Sequence, residues 1–190
     1  MSLSASGNYG ARASGKKVLL SVHVLETERL NLRQLSSADA AFILELLNEP
    51  SFLTNIGDRG VRTTEDAVRY ISEGPVNSYE RHGYGLWLVE LKDGRVPIGI
   101  CGLVRRDVLP DADIGYAFLA RYWSRGYAYE SAAAVMNYAS GALGLKRVLA
   151  VVKEGNAASI KVLEKLGLKF ERMVRLSADA PEIQLFASDS

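Results

Sequence analysis

The chain has 190 residues, of which 48% are hydrophobic and 24% charged, and its formal net charge is +1. This is the composition of an ordinary globular domain, and a near-neutral chain lacks the basic surface that nucleic-acid binding usually requires. A single cysteine, Cys101, excludes an intramolecular disulfide, and with two histidines it cannot make a convincing zinc site. No apolar run approaches the length of a membrane span, so we expect a cytoplasmic protein with no membrane contact and no metal.

The N-terminal segment is the part that we expect to be unstructured. Residues 1–17 are rich in Ser, Gly and Ala and contain few apolar side chains, so they are interpreted as a disordered leader or a remnant of expression. Residues 18–190 are expected to form one domain, with an additional strand over Val18–Val24.

Strand and helix signals alternate in the first half of this domain. Arg29–Leu35 alternates polar and apolar residues with the period of a half-buried strand. Ser36–Asp39 has the pattern of a capping box, which predicts a helix that ends just before Pro50. Thr63–Asp66 predicts the start of a second helix, which Gly74–Pro75 should break or kink.

Three strands are predicted next. Tyr84–Leu91 and Val96–Val104 flank a hairpin turn at Lys92–Arg95, and a turn at Asp107–Asp111 leads into the apolar run Ala112–Leu119.

The last third alternates helices with strands. Tyr129–Ala139 is rich in helix formers, and the β-rich run Arg147–Val152 after such a crossover most simply lies parallel to the strand before it. Asn156–Gly167 has the capping residues of a helix, and Leu168–Leu176 and Ile183–Phe186 supply two final strands. The order predicts an α+β fold, with a mixed sheet, helices on its faces and one parallel pair of strands that splays apart.

The segment Arg121–Ala128, between a strand and a helix, is the strongest candidate for a binding site. A Gly-containing loop at a helix start directs unpaired backbone N–H groups and the positive end of the helix dipole at one point, and Arg125 adds a full charge there. We interpret it as a pyrophosphate site, although a glycine before a helix is also common as a plain turn residue. A Walker loop is absent and the only G-x-G, Gly83–Gly85, lacks its third glycine, which argues against mononucleotide and nicotinamide cofactors.

Two sequence patterns and the order of the elements resemble the GNAT superfamily of N-acetyltransferases. The similarity is greatest to the branch of ribosomal-protein N-terminal acetyltransferases (RimJ/RimL-like). The pattern G-Y-x-L-x-x-x-W-G-K-G-Y-A-x-E-A of that branch is similar to Gly115–Ser131, and N-x-x-S-x-x-x-x-x-K-x-G-F is similar to Asn156–Leu168. The branch's first strand also resembles Leu25–Arg33, so the similarity extends from about Leu25 to Phe186. The fold implied is a mostly antiparallel mixed sheet.

This resemblance implies that acetyl-CoA is the cosubstrate and that an amine attacks it directly in a ternary complex. Backbone groups of Phe118 and Leu119 would pair with the pantetheine arm and polarise the thioester carbonyl, and Asn156 would bond the pantetheine or the phosphate end. Backbone amides of one loop would hold the pyrophosphate, namely Trp123, Ser124, Arg125, Gly126, Tyr127 and Ala128. Two of these depart from the family pattern, because Ser124 stands where Gly is usual and Arg125 where Lys is usual.

Acetyl transfer requires a base for the amine and a proton for the leaving thiolate. Asp113 is the candidate base because it shares strand parity with Gly115 and Ala117, whose small side chains would leave room above the sheet. The alternative is a solvated carboxylate at the strand edge, and Glu171 and Glu182 are weaker candidates.

The candidate acid is Ser159. The tyrosine that many relatives carry seven residues after the asparagine is absent, because that position is Leu163. In the branch that this chain resembles, the serine three residues after the asparagine takes the role, and here it is Ser159. The alternatives are a capping hydroxyl at this position and protonation of the thiolate by water.

The acceptor groove is expected from two stretches rich in loops and aromatic residues, Pro50–Gly60 and Gly74–Tyr84. Acidic residues there could attract a cationic amine, or could be ordinary solvated charges: Asp58, Glu73 and Glu80. The acceptor would be a protein N-terminal α-amine or a small amine, and a homodimer is kept as a candidate assembly. Two alternatives are a non-catalytic domain of the same fold that binds or senses acyl-CoA, and a different nucleotide-binding α/β protein.

Overall fold

The computed structural model describes residues 22–189. The predicted leader at residues 1–17 and most of the predicted strand over Val18–Val24 therefore lie outside the described residues. No helix between residues 22 and 189 has the length and apolar character needed to cross a bilayer.

Eight strands form one sheet in the order β1-β2-β3-β4-β5-β6-β8-β7. All neighbours are antiparallel except β5 and β6, which are parallel, so the predicted mixed and mostly antiparallel sheet is confirmed. The strands are β1 (His23–Glu26), β2 (Leu30–Arg33), β3 (Leu86–Leu91), β4 (Pro97–Val104), β5 (Asp113–Phe118), β6 (Leu149–Val152), β7 (Lys169–Val174) and β8 (Ile183–Ala187).

Six α-helices accompany the sheet in the described part of the chain. They are α1 (Ala40–Leu47), α2 (Pro50–Asn55), α3 (Thr64–Ile71), α4 (Asn77–His82), α5 (Tyr127–Gly141) and α6 (Ala157–Lys165). Two of the predicted caps are present, since the Asp66 N–H donates to Thr63 Oγ1 at 3.1 Å and the Ser159 N–H donates to Asn156 Oδ1 at 3.2 Å.

Helices cover both faces of the sheet because successive strand residues point to opposite sides. Leu88, Ile100 and Ala117 belong to a core with α1, α2 and α3. Their neighbours Trp87 and Phe118 belong to a second core with α5 and α6. Helices on both faces were predicted, and this is confirmed.

The region between α1 and α4 adds two features to the prediction. α1 ends at Leu47, before Pro50 as predicted, and Pro50 then begins α2, because a proline at the first helical position loses no hydrogen bond. The predicted break or kink at Gly74–Pro75 takes the form of a π-helical turn over Ser72–Val76, which interrupts the α-helical pattern between α3 and α4. Pro75 has no N–H to donate, and the wider turn accommodates that missing bond.

The parallel pair of strands opens along its length. β5 and β6 pair only at Asp113 and Leu149, where the Leu149 N–H donates to the Ala112 oxygen at 2.9 Å. Beyond this point the described strands share no ladder pairing, so they diverge towards Phe118 and Val152. The predicted splay is confirmed, and it opens at the end of β5 from which the loop to α5 departs.

Candidate active site

The loop between β5 and α5 presents free backbone donors. Gly126 adopts a left-handed conformation (φ +83°) just before α5, and the first helical bond is from the Glu130 N–H to the Gly126 oxygen at 3.0 Å. The amides of Tyr127, Ala128 and Tyr129 therefore have no partner within the helix. Together with the helix dipole they make this turn suited to an anion.

Ser124 takes the conformation for which the family pattern uses glycine. Its φ is +60°, one of two positive values among the described non-glycine residues. An L-residue in this region costs about 1–2 kcal/mol, but its amide is retained. The serine thus preserves the shape of the loop at some cost in stability.

Trp123 holds the loop against the end of β5. Its backbone N–H donates to the Ala120 oxygen at 3.1 Å, and its indole N–H donates to the Phe118 oxygen at 2.8 Å. The amide of Trp123 is thus already bonded, in contrast to the amides that begin α5.

Two arginines lie at this turn. The guanidinium of Arg125 lies 5.7 Å from the ring centre of Tyr122 and has no carboxylate partner among residues 22–189. Arg29 is the second, because a Cβ built on Gly126 would lie 3.4 Å from its Nη2 atom. Sequence reasoning missed Arg29, whose only signal was its place at the start of the first strand pattern.

Glu130 connects the first turn of α5 to the segment between β1 and β2. Its carboxylate accepts hydrogen bonds from Thr27 Oγ1 at 2.5 Å, from the Arg29 N–H at 3.0 Å and from Arg29 Nε at 2.7 Å. Burial opposes ionisation of Glu130, but these bonds prevail and hold its pKa below the usual value. The guanidinium of Arg29 also lies 4.6 Å from the centre of the Tyr127 ring. The start of α5 is thereby fixed in place.

The backbone of β5 offers donors to the gap at alternate residues. The Leu119 N–H donates to the Ile98 oxygen at 3.1 Å, and the Leu119 oxygen accepts the Tyr122 N–H at 2.9 Å. Both groups of Leu119 are thus already bonded within the protein. Because antiparallel pairing alternates, the backbone groups of Tyr116 and Phe118 face away from β4 and towards β6.

A cavity of about 410 Å³ lies at this gap. It brings together three of the predicted residues, Asp113, Asn156 and Ser159, while the loop Trp123–Ala128 lies outside its lining, beyond the end of β5. Residues of α2, α3, β5, β6, α6 and the segment before β8 contribute to its wall.

Asp113 is buried at the closed end of the splay. Its side chain is 1% exposed, and Oδ1 lies 2.9 Å from Nε of Arg106. Burial raises the pKa of Asp113 to about 6, and Arg106 offsets only part of that effect. The alternative interpretation of a solvated carboxylate at the strand edge is therefore wrong.

The weaker carboxylate candidates lie elsewhere. Glu171 pairs with Arg147, and Glu182 lies 3.5 Å from Arg175. Neither glutamate lines the cavity that contains Asp113.

Ser159 is not the capping residue of α6. Asn156 makes the cap, and the Ser159 hydroxyl has no hydrogen-bond partner in the part of the chain that the structure describes. The Tyr116 hydroxyl donates to the Ser159 backbone oxygen at 3.2 Å, which fixes the start of α6 against β5. Leu163, which stands at the position of the family's tyrosine, lines the same cavity.

The acceptor side of the cavity matches only part of the prediction. Phe52, Asn55, Ile56 and Arg59 line it, but no residue of Gly74–Tyr84 does. Three further lining residues had no sequence signal, because their proximity depends on packing: Tyr70, Arg106 and Lys153.

Comparison with known proteins places this geometry in a family. Residues 29–169 match the acetyltransferase (GNAT) domain family. The chain is 33% identical to YkkB of Bacillus subtilis (strain 168) over 157 residues, covering 80% of this chain and 88% of YkkB. It is 32% identical over 153 residues to YoaA, an uncharacterized N-acetyltransferase of the same organism, covering 80% of this chain and 86% of YoaA.

The fold is also that of solved acetyltransferases. The structure of RimL, a ribosomal L7/L12 α-N-protein acetyltransferase in complex with coenzyme A, superposes with a TM-score of 0.75 at 16% identity, covering 88% of this chain and 97% of RimL. The matched domain and the two relatives lead to one conclusion. The chain belongs to the GNAT family of N-acetyltransferases.

Proposed function

We propose that the protein transfers an acetyl group from acetyl-CoA to a primary amine by direct attack in a ternary complex. The observation that carries the proposal is the opening between β5 and β6. It opens at the end of β5 from which the loop to α5 departs, and the cavity that contains Asp113 is lined by both of these strands.

The residues present fit acetyl-CoA. Free amides at Tyr127 and Ala128, the left-handed turn at Gly126 and the charge of Arg125 suit a pyrophosphate. The Phe118 N–H faces the gap, whereas the Phe118 oxygen already accepts from the Trp123 indole. The side-chain amide nitrogen of Asn156 has no partner within residues 22–189. Ser124 completes the loop. Leu119 is left out of the proposal because both of its backbone groups are bonded, and Trp123 acts through its indole.

Acetyl-CoA supplies an acetyl group activated as a thioester. Transfer forms an N–C bond and breaks the C–S bond, so one proton must leave the amine and one must reach the sulfur. Asp113 accepts the proton of the amine, directly or through a water, since a carboxyl with a pKa of about 6 is ionised at neutral pH but still basic. Ser159 donates a proton towards the sulfur from its unpartnered hydroxyl and regains one from solvent, while Asp113 releases the amine's proton to solvent.

The test is release of free thiol from acetyl-CoA in the presence of a library of primary amines. We expect acceptor-dependent release, and a decrease of about 10²–10⁴-fold in Asp113→Asn, the usual contribution of a general base. Asp107→Asn is the matched control, because Asp107 is exposed in the turn between β4 and β5.

Binding of acetyl-CoA with no thiol release across the library would contradict the proposal. It would favour instead the non-catalytic domain that senses acyl-CoA.

A further inference from the structure

The wall of the cavity carries more positive than negative charge. Three cationic side chains line it, Arg59, Arg106 and Lys153, and the only carboxylate among its lining residues is Asp113. Because Arg106 pairs with Asp113 at 2.9 Å, two cations remain on the acceptor side.

Neither of these two cations has a carboxylate partner among residues 22–189. Lys153 donates from Nζ to the Thr54 backbone oxygen at 2.6 Å, which satisfies one of its three donors and leaves its charge uncompensated. Arg59 forms no ion pair with any described residue. The adjacent Asp58 is engaged by Arg62, with Nη2 and Oδ2 2.5 Å apart, and does not line the cavity.

Tyr70 lines the same cavity as Arg59 and Lys153. Burial raises the pKa of its hydroxyl, and the charges of Arg59 and Arg106 act in the opposite direction. The phenol can itself donate a hydrogen bond, so the wall carries a neutral donor beside its cations.

This charge distribution selects among amines. A polycation such as a polyamine would be repelled by Arg59 and Lys153, whereas an anionic group would be attracted by both and bound by their donors. Positive surroundings also favour the neutral form of an incoming ammonium, which is the form that attacks.

We propose that the acceptor is a primary amine that also carries a carboxylate or a phosphate, which Arg59 and Lys153 bind. This inference rests on the proposed acetyl transfer, and it names the class of acceptor for the same site.

The experiment compares amines that differ only in the anionic group. Ethanolamine is compared with O-phosphoethanolamine, and alaninamide with alanine, by calorimetric titration into protein saturated with coenzyme A. We expect the anionic member to bind about tenfold tighter or more, the usual effect of a charge-assisted hydrogen bond. The two pairs also separate phosphate from carboxylate, and a preference in either pair supports the proposal.

Variants assign the preference to its residues. Arg59→Gln and Lys153→Gln should each reduce the preference severalfold, and the double variant should abolish it. Lys169→Gln is the matched control, because Lys169 is exposed, paired with Asp189 at 2.8 Å and outside the cavity. The affinity for acetyl-CoA should stay unchanged in all four variants.

Equal binding of both members of each pair would overturn the proposal, and so would a preference that survives in the double variant. A loss of acetyl-CoA affinity in Arg59→Gln would also overturn it, since that residue would then bind the coenzyme. Acetylation rates are measured in parallel, so that the proposed acetyl transfer and the proposed class of acceptor are tested separately. Acetylation without an anionic preference refutes only the acceptor class, whereas the preference without acetylation refutes only the proposed transfer.

Discussion

Asp113 combines deep burial with a carboxyl group that the proposed reaction needs in its ionised form. Because its folded pKa is raised, folding is favoured by the protonated form, and that contribution is lost as the pH rises through about 6. Ionisation of Asp113 at neutral pH therefore lowers the free energy of unfolding, and Arg106 offsets this only partly. We infer that the buried carboxylate is kept because the proposed acetyl transfer requires it.

The first prediction concerns the pH dependence of acetylation. The kcat/KM of the wild-type protein should decrease as the pH falls through about 6, because protonated Asp113 cannot accept a proton. Initial rates measured between pH 5 and 8 with one acceptor would check this. Below the pKa, the contribution of Asp113 to kcat/KM should fall by about tenfold per pH unit. An identical acidic limb in Asp113→Asn would show that another group titrates.

The second prediction compares two substitutions in the same turn. Ser124→Gly should remove the strain of its positive φ and stabilise the protein by up to about 1 kcal/mol, with acetyl-CoA affinity unchanged because the amide remains. Gly126→Ala should cost about 1–3 kcal/mol and weaken acetyl-CoA binding, because φ is +83° and the methyl group meets Arg29. Thermal unfolding and calorimetry of both variants would measure these effects. Weaker binding in Ser124→Gly would mean that the serine hydroxyl contacts the coenzyme.

Individual elements depend on a few contacts that are distant in sequence. The first turn of α5 is tied to the segment between β1 and β2 by Glu130, whose partners Thr27 and Arg29 lie about a hundred residues earlier. A carboxylate at this position also interacts favourably with the positive end of the helix. The turn before α5 is therefore positioned by a neighbouring part of the sheet as well as by its own sequence.

The third prediction tests this connection. Glu130→Gln should destabilise the protein by about 1–2 kcal/mol near neutral pH, since three hydrogen bonds lose their charged acceptor in a partly exposed site. The pKa of Glu130 is lowered on folding, so its contribution is present above the ordinary glutamate pKa and is lost as the pH falls through the folded value. Urea unfolding of wild type and variant should therefore converge in acid.

A matched control for Glu130 is available on α1. Glu45 forms an ion pair with Arg121 at 2.6 Å, with both side chains about half exposed, so Glu45→Gln should cost less than about 1 kcal/mol. Equal losses in the two variants would show that the position of Glu130 has no special role in fixing α5.

The whole molecule is organised around the divergence of β5 and β6, which opens a gap in the sheet between the two helical layers. A ligand that occupies this gap contacts both strands, so its binding should stabilise the native state globally. The size of that stabilisation follows from the ratio of ligand concentration to Kd.

The fourth prediction is a thermal shift. Acetyl-CoA at about 100 times its Kd should stabilise the protein by about 2.7 kcal/mol, which raises Tm by roughly 5–10 °C for a chain of this length. ATP and NAD should have little effect. Stabilisation by either nucleotide and not by coenzyme A would contradict the assigned cosubstrate and favour a different nucleotide-binding protein.

Much of the fold could be predicted because its signals are local. The capping residues Thr63 and Asn156 each predict a helix that begins at the next position. The hairpin at Lys92–Arg95 is predicted by its turn residues. At Gly74–Pro75 the sequence predicted a break or a kink but not a π-helical turn. A proline removes the same backbone donor in all of these conformations, so the local sequence does not distinguish them. The same holds for the candidate site. The turn at Gly126 was predicted from a local sequence pattern, whereas no local pattern pointed to Arg106.

The sequence by itself determined the order of strands and helices, the glycine turn before α5 and the resemblance to acetyltransferases. These depend on hydrogen bonds and side-chain periodicity over a few residues. Only the tertiary structure decided that Asp113 is buried against Arg106, that Leu119 is already bonded, and that Arg59 and Lys153 leave the acceptor cavity positively charged. The burial of a side chain and the charge around it depend on every chain segment that packs nearby. A local sequence pattern does not contain that information.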